Sequence, residues 1–428
     1  MSNKIGFLTV LALVISSQIG CGIFTLPISL APYGAYSIIG WTISSLGAIS
    51  LALVFAFLCA KFPETGGPHV YIKYIFGPTA AFFVGWTYWI SSWISSTAVV
   101  ITSIEYLALI FKNNIQDIRL ALEIILIIAI MLINLKGVST AGYVELILNL
   151  IKIVALLSIP IAALFFFDRN NFITSEEILN LTTSQTLARS TLITLWCFIG
   201  LESTTAHAES VDNPTKTIPK AIALGTSCVA TIYIINSLAI MGLINGNRLA
   251  NSRAPYVDAV KIMFSGNYWY LITSAIAFIV SVSNLNAWFL ADGQIVLGLA
   301  KDKLMPQFFA KKNKHNAPFL ALIFSALGVI VLLILTSNKN LTQQVTSMID
   351  ISVISFLFVY LACSLAFLKM IIQEKNYSKF LIGCIAMLFC CWIIYETSIS
   401  TLLISSLFPL SGTLIYLLWY RKSIYLKI

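Results

Sequence analysis

Long apolar stretches recur along the whole chain and are separated by short polar segments. An α-helix that crosses a bilayer needs ~20 apolar residues, and by that measure we predict about twelve transmembrane helices. Their centres lie near Gly20, Gly47, Trp93, Ile127, Ala155, Phe198, Ile232, Asn284, Gly328, Phe358, Met387 and Leu410. The connections leave no room for a soluble catalytic domain. The pattern therefore predicts an all-α polytopic membrane protein.

The composition agrees with this pattern: 59% of the residues are hydrophobic and 10% are charged, against roughly 25% charged in an ordinary soluble domain. The mean hydropathy is +0.91. The first apolar stretch is longer than a signal peptide requires and has no small-residue cleavage site, so we expect it to be a retained helix. Eight cysteines show no metal-ligand spacing, and we expect no metal or cofactor.

The net charge of +9 reflects membrane topology rather than nucleic-acid binding, because lysine and arginine gather in alternate loops. With an even number of spans, these loops all fall on one side. We expect that side to be the cytoplasm, with both termini there and the chain in the plasma (cell inner) membrane. The residues concerned are Lys61, Lys73, Lys216, Lys220, Lys301, Lys303, Lys311, Lys312, Lys314, Lys369, Lys375, Lys379, Arg421, Lys422 and Lys427.

The first predicted helix is interrupted by Gly20-Cys21-Gly22 and, after Ile23 to Leu26, by Pro27. Lipid offers no hydrogen bonds, so unpaired backbone at membrane depth is tolerated only where it lines a cavity or contacts a bound molecule. Broken helices of this kind bind solute carboxylates in secondary transporters. The alternative is a kinked helix with a purely structural role, since glycine and proline are common in membrane helices.

A comparable interruption lies in the sixth predicted helix, at residues 196–205. Breaks in helices one and six indicate two halves of five helices each. An odd number of spans per half inverts the second half relative to the first, which allows access to one central site to alternate. We predict inverted repeats at residues 1–168 and 169–370, followed by two additional helices and the tail at 371–428.

Further residues around both breaks and after the eighth helix belong to the same pattern: Phe24, Leu26, Pro63, Gly66, Gly67, Tyr71, Gly77, Phe198, Gly200, Glu202, Glu209, Asn213, Pro214, Pro219, Ala221, Ile222, Ala300, Asp302, Leu304 and Pro306. Jointly they resemble the amino acid–polyamine–organocation transporter family. Within it, the chain is most similar to the arginine/agmatine, putrescine/ornithine and lysine/cadaverine exchangers. The resemblance implies a secondary active antiporter of small amino acids or polyamines, working by alternating access in the lipid bilayer as a homodimer.

At the first break, the backbone amides of Cys21, Gly22 and Ile23 form the amino end of a half-helix, where the helix dipole favours a carboxylate. Released carbonyls suit the α-ammonium group of an amino acid, as the resemblance also implies. We expect these binding groups at Ile19, Gly20, Trp196, Cys197 and Ile199. The family usually has serine where this chain has Cys21, so one hydroxyl contact is missing.

The resemblance maps a stacking aromatic residue onto Trp288 and a gating aromatic residue onto Trp196. A substrate cation over an indole ring gains ~2 kcal/mol or more when desolvated. Packing is the alternative role for Trp288. We expect a polar distal pocket and two aromatic gates, formed respectively by Ser91, Ser92, Ser96 and Ser352 and by Tyr88 and Tyr360.

Charged residues within membrane segments cost roughly 2.5–3.5 kcal/mol each on insertion scales, so they point to function. Lys152 is expected to replace a coupling sodium ion by binding the carbonyl of Gly20 and the hydroxyl of Ser281 or Ser283. It resembles the fifth-helix lysine of sodium-independent family members. The alternative is a lysine that extends its amine to the membrane surface.

Besides Lys152, three acidic residues meet this criterion. Glu202 follows the second break and is expected to act in gating or pH response, or alternatively to cap the second half-helix. Asp292 shares a helix face with Trp288, which makes it a candidate counter-charge for a cationic substrate. Glu105 is expected at the membrane interface, and His207 is expected to be structural.

Two other classes of protein remain as alternatives. An enzyme is disfavoured because the chain has no catalytic triad order, zinc motif, paired catalytic carboxylates or phosphate loop. A receptor or partner subunit without transport activity would show no solute flux. Within transport, the alternative to a cationic antiporter is a proton-coupled, sodium-independent importer of neutral amino acids, which Lys152 would also suit.

Overall fold

The computed structural model describes residues 4–111, 116–252, 254–264, 268–337 and 341–425. Within those ranges the chain is helical, and pairing of extended backbone is limited to two isolated bridges. The α-helices of the first half are α1 (Phe7–Gln18), α2 (Gly22–Leu30), α3 (Tyr36–Lys61), α4 (Pro68–Phe76), α5 (Pro78–Ile110), α6 (Arg119–Asn134) and α7 (Val138–Leu164). The remainder are α8 (Glu176–Leu179), α9 (Thr183–Leu195), α10 (Pro214–Leu243), α11 (Gly246–Ala250), α12 (Pro255–Met263), α13 (Trp269–Lys301), α14 (Phe319–Thr336), α15 (Leu341–Gln373), α16 (Phe380–Glu396) and α17 (Ile399–Tyr425).

Nine segments of the described chain are long and apolar enough to cross a membrane, counting the broken α1–α2 pair as one. The others lie in α3, α5, α10 and α13 to α17. The remaining predicted spans coincide with shorter elements: α6 has 16 residues, the apolar part of α7 is Lys152–Leu164, and the sixth span is interrupted. The polytopic helical fold is thus confirmed, whereas the count of twelve spans stays a prediction.

The break in the first span lies where the sequence predicts it. Helix α1 ends at Gln18, Ile19 is extended, and α2 begins at Gly22. A Cβ atom on Gly20 would lie 2.6 Å from Cγ of Asn284 on α13. Glycine is therefore required there, because α13 packs directly against the non-helical backbone.

The second break is more extensive than the first. A capping box of Thr182 and Gln185 starts α9, which ends at Leu195 and continues as the short 3-10 helix Trp196–Phe198. Gly200 has φ of 103°, a conformation that favours glycine. The second half is the 3-10 helix Ser203–Ser210 rather than an α-helix.

Both breaks lie in the centre of the helix bundle. Helix α1 packs against α7, α10 and α13, while α5 packs against α13 and α15. The final helix α17 lies at the periphery, since only 11% of its apolar segment is buried inside the protein. The elements that bear the breaks are thus enclosed by protein, as interrupted backbone in a membrane requires.

The loops rich in lysine share one face of the bundle. Three ion pairs connect them: Lys61–Glu374 at 2.8 Å, Lys73–Asp302 at 2.6 Å and Lys301–Glu209 at 2.8 Å. Burial raises the pKa of Asp302, but His69 and Lys73 outweigh that effect and hold the pKa below its usual value. The amide of Ile5 donates to the carbonyl of Ser210 on the same face (2.9 Å), which places the described start of the chain beside these loops.

Candidate functional site

A cavity lies between the two broken segments, and every residue that lines it is buried. Among the residues predicted for the binding site, those that line the cavity are Gly20, Cys21, Gly22, Trp196, Cys197, Ile199 and Trp288. The sequence reasoning missed Ser17, Gln18, Ser95, Val99 and Asn284. The cavity therefore combines backbone from both breaks with side chains of α5 and α13.

The first break directs unpaired amides toward this cavity. Among the described residues, no acceptor takes a hydrogen bond from the amides of Gly20, Cys21, Gly22 or Ile23. The first amides of a helix have no partner within the helix, and they carry the positive end of its dipole. This wall of the cavity is therefore suited to an anionic group such as a carboxylate.

The two breaks approach each other closely at Gly22. A Cβ atom there would lie 2.6 Å from Sγ of Cys197 and 3.0 Å from the Trp196 ring. Tyr233 of α10 bridges the breaks, with its hydroxyl 2.6 Å from the carbonyl oxygen of Gln18 and 3.2 Å from that of Cys197. Any larger residue at position 22 would therefore collide with the second broken segment.

Two tryptophans form the aromatic walls. The Trp196 indole donates to Ser95 (3.3 Å). The Trp288 ring packs against Tyr88 and Phe356, with centroid distances of 6.2 and 5.4 Å. Trp288 thus separates the cavity from an aromatic layer that contains Tyr88.

The serines predicted for a distal pocket lie outside the lining of the cavity. Ser91, Ser92 and Ser352 are buried and donate to carbonyl groups of their own helices, while Ser96 is buried without a hydrogen-bond partner. Ser95 supplies the hydroxyl on the cavity wall instead. The run of serines identified the correct helix, but the rotation of α5 about its axis is set by tertiary packing.

Asn284 holds the end of α1 in place. Its amide donates to the carbonyl groups of Ser16 and Ser17 at 2.9 Å each, so it satisfies acceptors that the break leaves without helical partners. The sequence could have indicated that Asn284 lies at the site, because Asn284 precedes Trp288 by one helical turn and shares its face.

Lys152 also binds the broken backbone, although not through the partners we predicted. Its amine donates to the carbonyl of Ile19 (2.8 Å) and to the hydroxyl of Ser16 (3.0 Å). The expected contacts with Gly20 and with Ser281 or Ser283 were therefore wrong. The side chain is fully buried, so it does not extend to the membrane surface.

Glu145 is an ionisable residue that the sequence reasoning missed. It is fully buried and accepts hydrogen bonds from Ser16, Ser283 (2.8 Å) and Asn286 (2.7 Å). The hydroxyl of Ser16 thus connects the carboxylate to the Lys152 amine. Glu145 precedes Lys152 by two helical turns, and this spacing places both on one face of α7. An acidic residue two helical turns before a lysine in a membrane segment could therefore have been predicted from the sequence as its partner.

Glu202 contacts one of the predicted gating tyrosines. Its Oε2 atom accepts from the Tyr360 hydroxyl (2.6 Å), which lies 3.4 Å from the Gly200 amide. Glu202 precedes the 3-10 helix at 203–210 but makes no side-chain cap, so the capping alternative was wrong. Tyr88, the other predicted gate, is fully buried.

The remaining predicted ionisable residues lie apart from the cavity lining. Glu105 pairs with Arg119 at 3.5 Å near the end of α5. His207 and Asp292 are buried, and His207 lies in the 3-10 helix beyond the second break. Of these three, only Asp292 follows a cavity residue, Trp288, by one helical turn.

A multi-pass helical protein with two interrupted helices around one cavity has the architecture of a secondary transporter. The family model described as amino acid permease matches residues 5–420, and the chain belongs to this family. The family membership confirms the resemblance seen in the sequence, and it identifies a transporter rather than an enzyme.

Three relatives align with most of the chain. The putrescine transporter PotE of Haemophilus influenzae is 30% identical over 377 residues, which is 88% of this chain and 86% of that protein. The cadaverine/lysine antiporter of Escherichia coli is 29% identical over 343 residues (79% and 76%). The putative arginine/ornithine antiporter of Bacillus subtilis is 27% identical over 434 residues (92% and 91%).

We expect Gly22→Leu to abolish substrate binding, because the added side chain would occupy the space beside Cys197 and Trp196. Binding to the purified protein is measured by scintillation proximity. Gly6→Leu is the matched control, since a Cβ at Gly6 has no neighbour within 4 Å. Wild-type affinity in a folded Gly22→Leu variant would rule out this cavity as the substrate site.

We expect Lys152→Ala to lower thermal stability in detergent, because it leaves the Glu145 carboxylate buried without its positive partner. Breaking a buried ion pair costs about 3–5 kcal/mol. Adding Glu145→Gln should restore part of that stability but not transport, because the Ile19 carbonyl still lacks its donor. If the double variant is no more stable than Lys152→Ala, Glu145 and Lys152 do not act as a charge pair.

Proposed function

We propose that the protein exchanges cationic amino acids and polyamines across the membrane by alternating access. One observation carries this proposal. The amides of Gly20 to Ile23, which have no acceptor among the described residues, and the Trp288 indole lie around the same cavity. The amides suit a carboxylate, and the indole suits a cation at the other end of the same molecule. The relatives named for putrescine, cadaverine, lysine, arginine and ornithine support the same substrate class.

The proposed inverted repeat, at 1–168 and 169–370, supplies the alternating motion. Its support is the packing of corresponding elements: α3 packs against α10, and α5 packs against α13. These are the second and third spans of each proposed half, and such pairs meet across a pseudo-twofold axis. We infer that such an axis passes between the two breaks.

Tyr88, Tyr360 and Glu202 are the proposed gates on the side of Trp288 away from the first break. The hydrogen bond from Tyr360 to Glu202 joins α15 to the segment after the second break, so a rearrangement of that segment would break it. The lysine-rich face is assigned to the cytoplasm of the inner membrane on the positive-inside rule.

Transport is proposed to be independent of sodium. The Lys152 amine on α7 donates to the Ile19 carbonyl, and it holds the first break in register without an ion that leaves with the substrate. A proton-coupled importer of neutral amino acids remains an outcome of the experiment below.

Purified protein in liposomes preloaded with lysine, ornithine, arginine, putrescine or cadaverine should take up a labelled member of the same set at equal rates with and without external sodium. Empty liposomes should show little uptake, because exchange requires a counter-substrate. Leucine uptake driven by a proton gradient into empty liposomes, without uptake of the cations, would instead establish the neutral importer.

Trp288→Leu should weaken the binding of lysine and cadaverine far more than the binding of alanine. The difference should be about tenfold or more if a desolvated cation–π contact of ~2 kcal/mol is lost. Half-saturation concentrations are compared across the panel. A uniform loss for all substrates would assign Trp288 to packing alone.

A further inference from the structure

Asp292 is a buried carboxylic acid in the middle of α13. It is 1% exposed. It forms no ion pair with any described residue, and its Oδ1 atom has no hydrogen-bond partner there. A buried charge is costly unless it is paired, and more so within a membrane. Another buried acid, Glu145, by contrast accepts hydrogen bonds from Ser16, Ser283 and Asn286.

The position of Asp292 relates it directly to the cavity. Asn284, Trp288 and Asp292 follow one another at intervals of four residues, so they lie on successive turns of roughly the same face of α13. The rise of an α-helix places Asp292 about 6 Å beyond Trp288 and about 12 Å beyond Asn284 along the axis. Asn284 binds the first break, and Asp292 therefore lies past the indole on the side away from that break.

The surroundings of Asp292 are suited to a cation. Ser92 of α5 lies beside its carboxylate. Tyr88, one turn before Ser92, packs against Trp288 and has a buried hydroxyl without a hydrogen-bond partner in the described chain. Phe356 contacts the Tyr88 ring edge-on at 5.1 Å. A carboxylate beside aromatic faces and unused hydroxyl acceptors is the environment that binds an ammonium group.

We propose that Asp292 and Tyr88 form a distal subsite that binds the second cationic group of a diamine or of a basic amino acid. This inference rests on the proposed function and defines the substrate class further: the ligand carries an ammonium group at the far end of an extended carbon chain. One end occupies the cavity between the breaks, and the other passes Trp288 and pairs with Asp292. Trp288 and Tyr88 must move apart to admit it, which makes their contact a gate as well as a wall.

The subsite also bears on exchange. When the substrate leaves, Asp292 has no ion-pair partner among the described residues, and it is neutralised either by a proton or by a second cation. Binding of a second cation before the protein reorients makes the turnover an exchange, so loss of the carboxylate should lower the ratio of exchange to net uptake.

The test uses purified full-length protein in liposomes and two amino acids whose carbon chains match, lysine and norleucine, together with putrescine. In Asp292→Asn, the half-saturation concentrations of lysine and putrescine should rise by about tenfold, the equivalent of ~1.4 kcal/mol, while that of norleucine stays within about twofold. The ratio of exchange to net uptake should fall as well. Asp212→Asn is the matched control, because Asp212 is exposed.

The outcomes separate this inference from the proposed function. If the wild type carries norleucine but neither lysine nor putrescine, the proposed cationic antiporter is wrong. If the wild type transports all three and Asp292→Asn raises their half-saturation concentrations equally, or raises none, the proposed subsite is wrong. The proposed antiporter function is then unaffected. Should Asp292→Asn fail to fold, Asp292→Glu keeps the charge and moves it by one methylene, so lysine affinity should change while norleucine affinity does not.

Discussion

The central constraint on this protein is a break in the backbone hydrogen bonds of a membrane segment: the Ile19 carbonyl and the amides of Gly20 to Ile23 have no helical partner among the described residues. Lipid satisfies none of these groups, so the protein must provide a partner for each one or leave it for a ligand. The carbonyl groups before the break receive donors from Lys152, Asn284 and Tyr233. The amides after the break receive none among the described residues. The acceptors are thus used to fix the structure, and the donors are left for the substrate.

The donors to the carbonyl groups come from three different helices, α7, α10 and α13, and each is itself anchored. Lys152 is balanced by Glu145 through Ser16, and Glu145 is held in turn by Ser283 and Asn286. Asn286 accepts from Asn134 of α6 at 2.9 Å. A buried charge pair is a weak source of stability by itself, but here it fixes the register of α1 against α7 and α13. In sodium-coupled transporters a bound ion performs that task, and we propose that the Lys152 amine performs it here.

The sequence predicted the fold because its strongest signals are local: the length of apolar stretches, and glycines where a helix must break. Gly20, Gly22 and Gly200 each lie where a side chain would collide with another segment or where φ is positive, so the breaks could be located from residue type. The partners of Lys152 could not, because they depend on which turn of α1 faces α7. The rotation of α5 about its axis likewise depends on tertiary packing, so the sequence did not show that Ser95 lines the cavity rather than Ser91 or Ser96. Glu145 was within reach of sequence reasoning, since its spacing from Lys152 defines a common helix face.

The Lys152–Glu145 cluster and the polar groups beyond Trp288 differ in how many of their hydrogen bonds are made. That difference indicates which part of the protein moves when it opens. Around Lys152 and Glu145 the hydrogen bonds join three helices, so a shift of one helix would break several at once. Beyond Trp288, Tyr88, Glu202 and Asp292 each retain a buried polar atom without a partner in the described chain. A buried group without a partner is costly, and the cost disappears when a ligand or water reaches it. The hydrogen-bonded cluster around Lys152 and Glu145 therefore acts as the fixed scaffold, and the unpartnered groups beyond Trp288 are where opening the protein releases free energy.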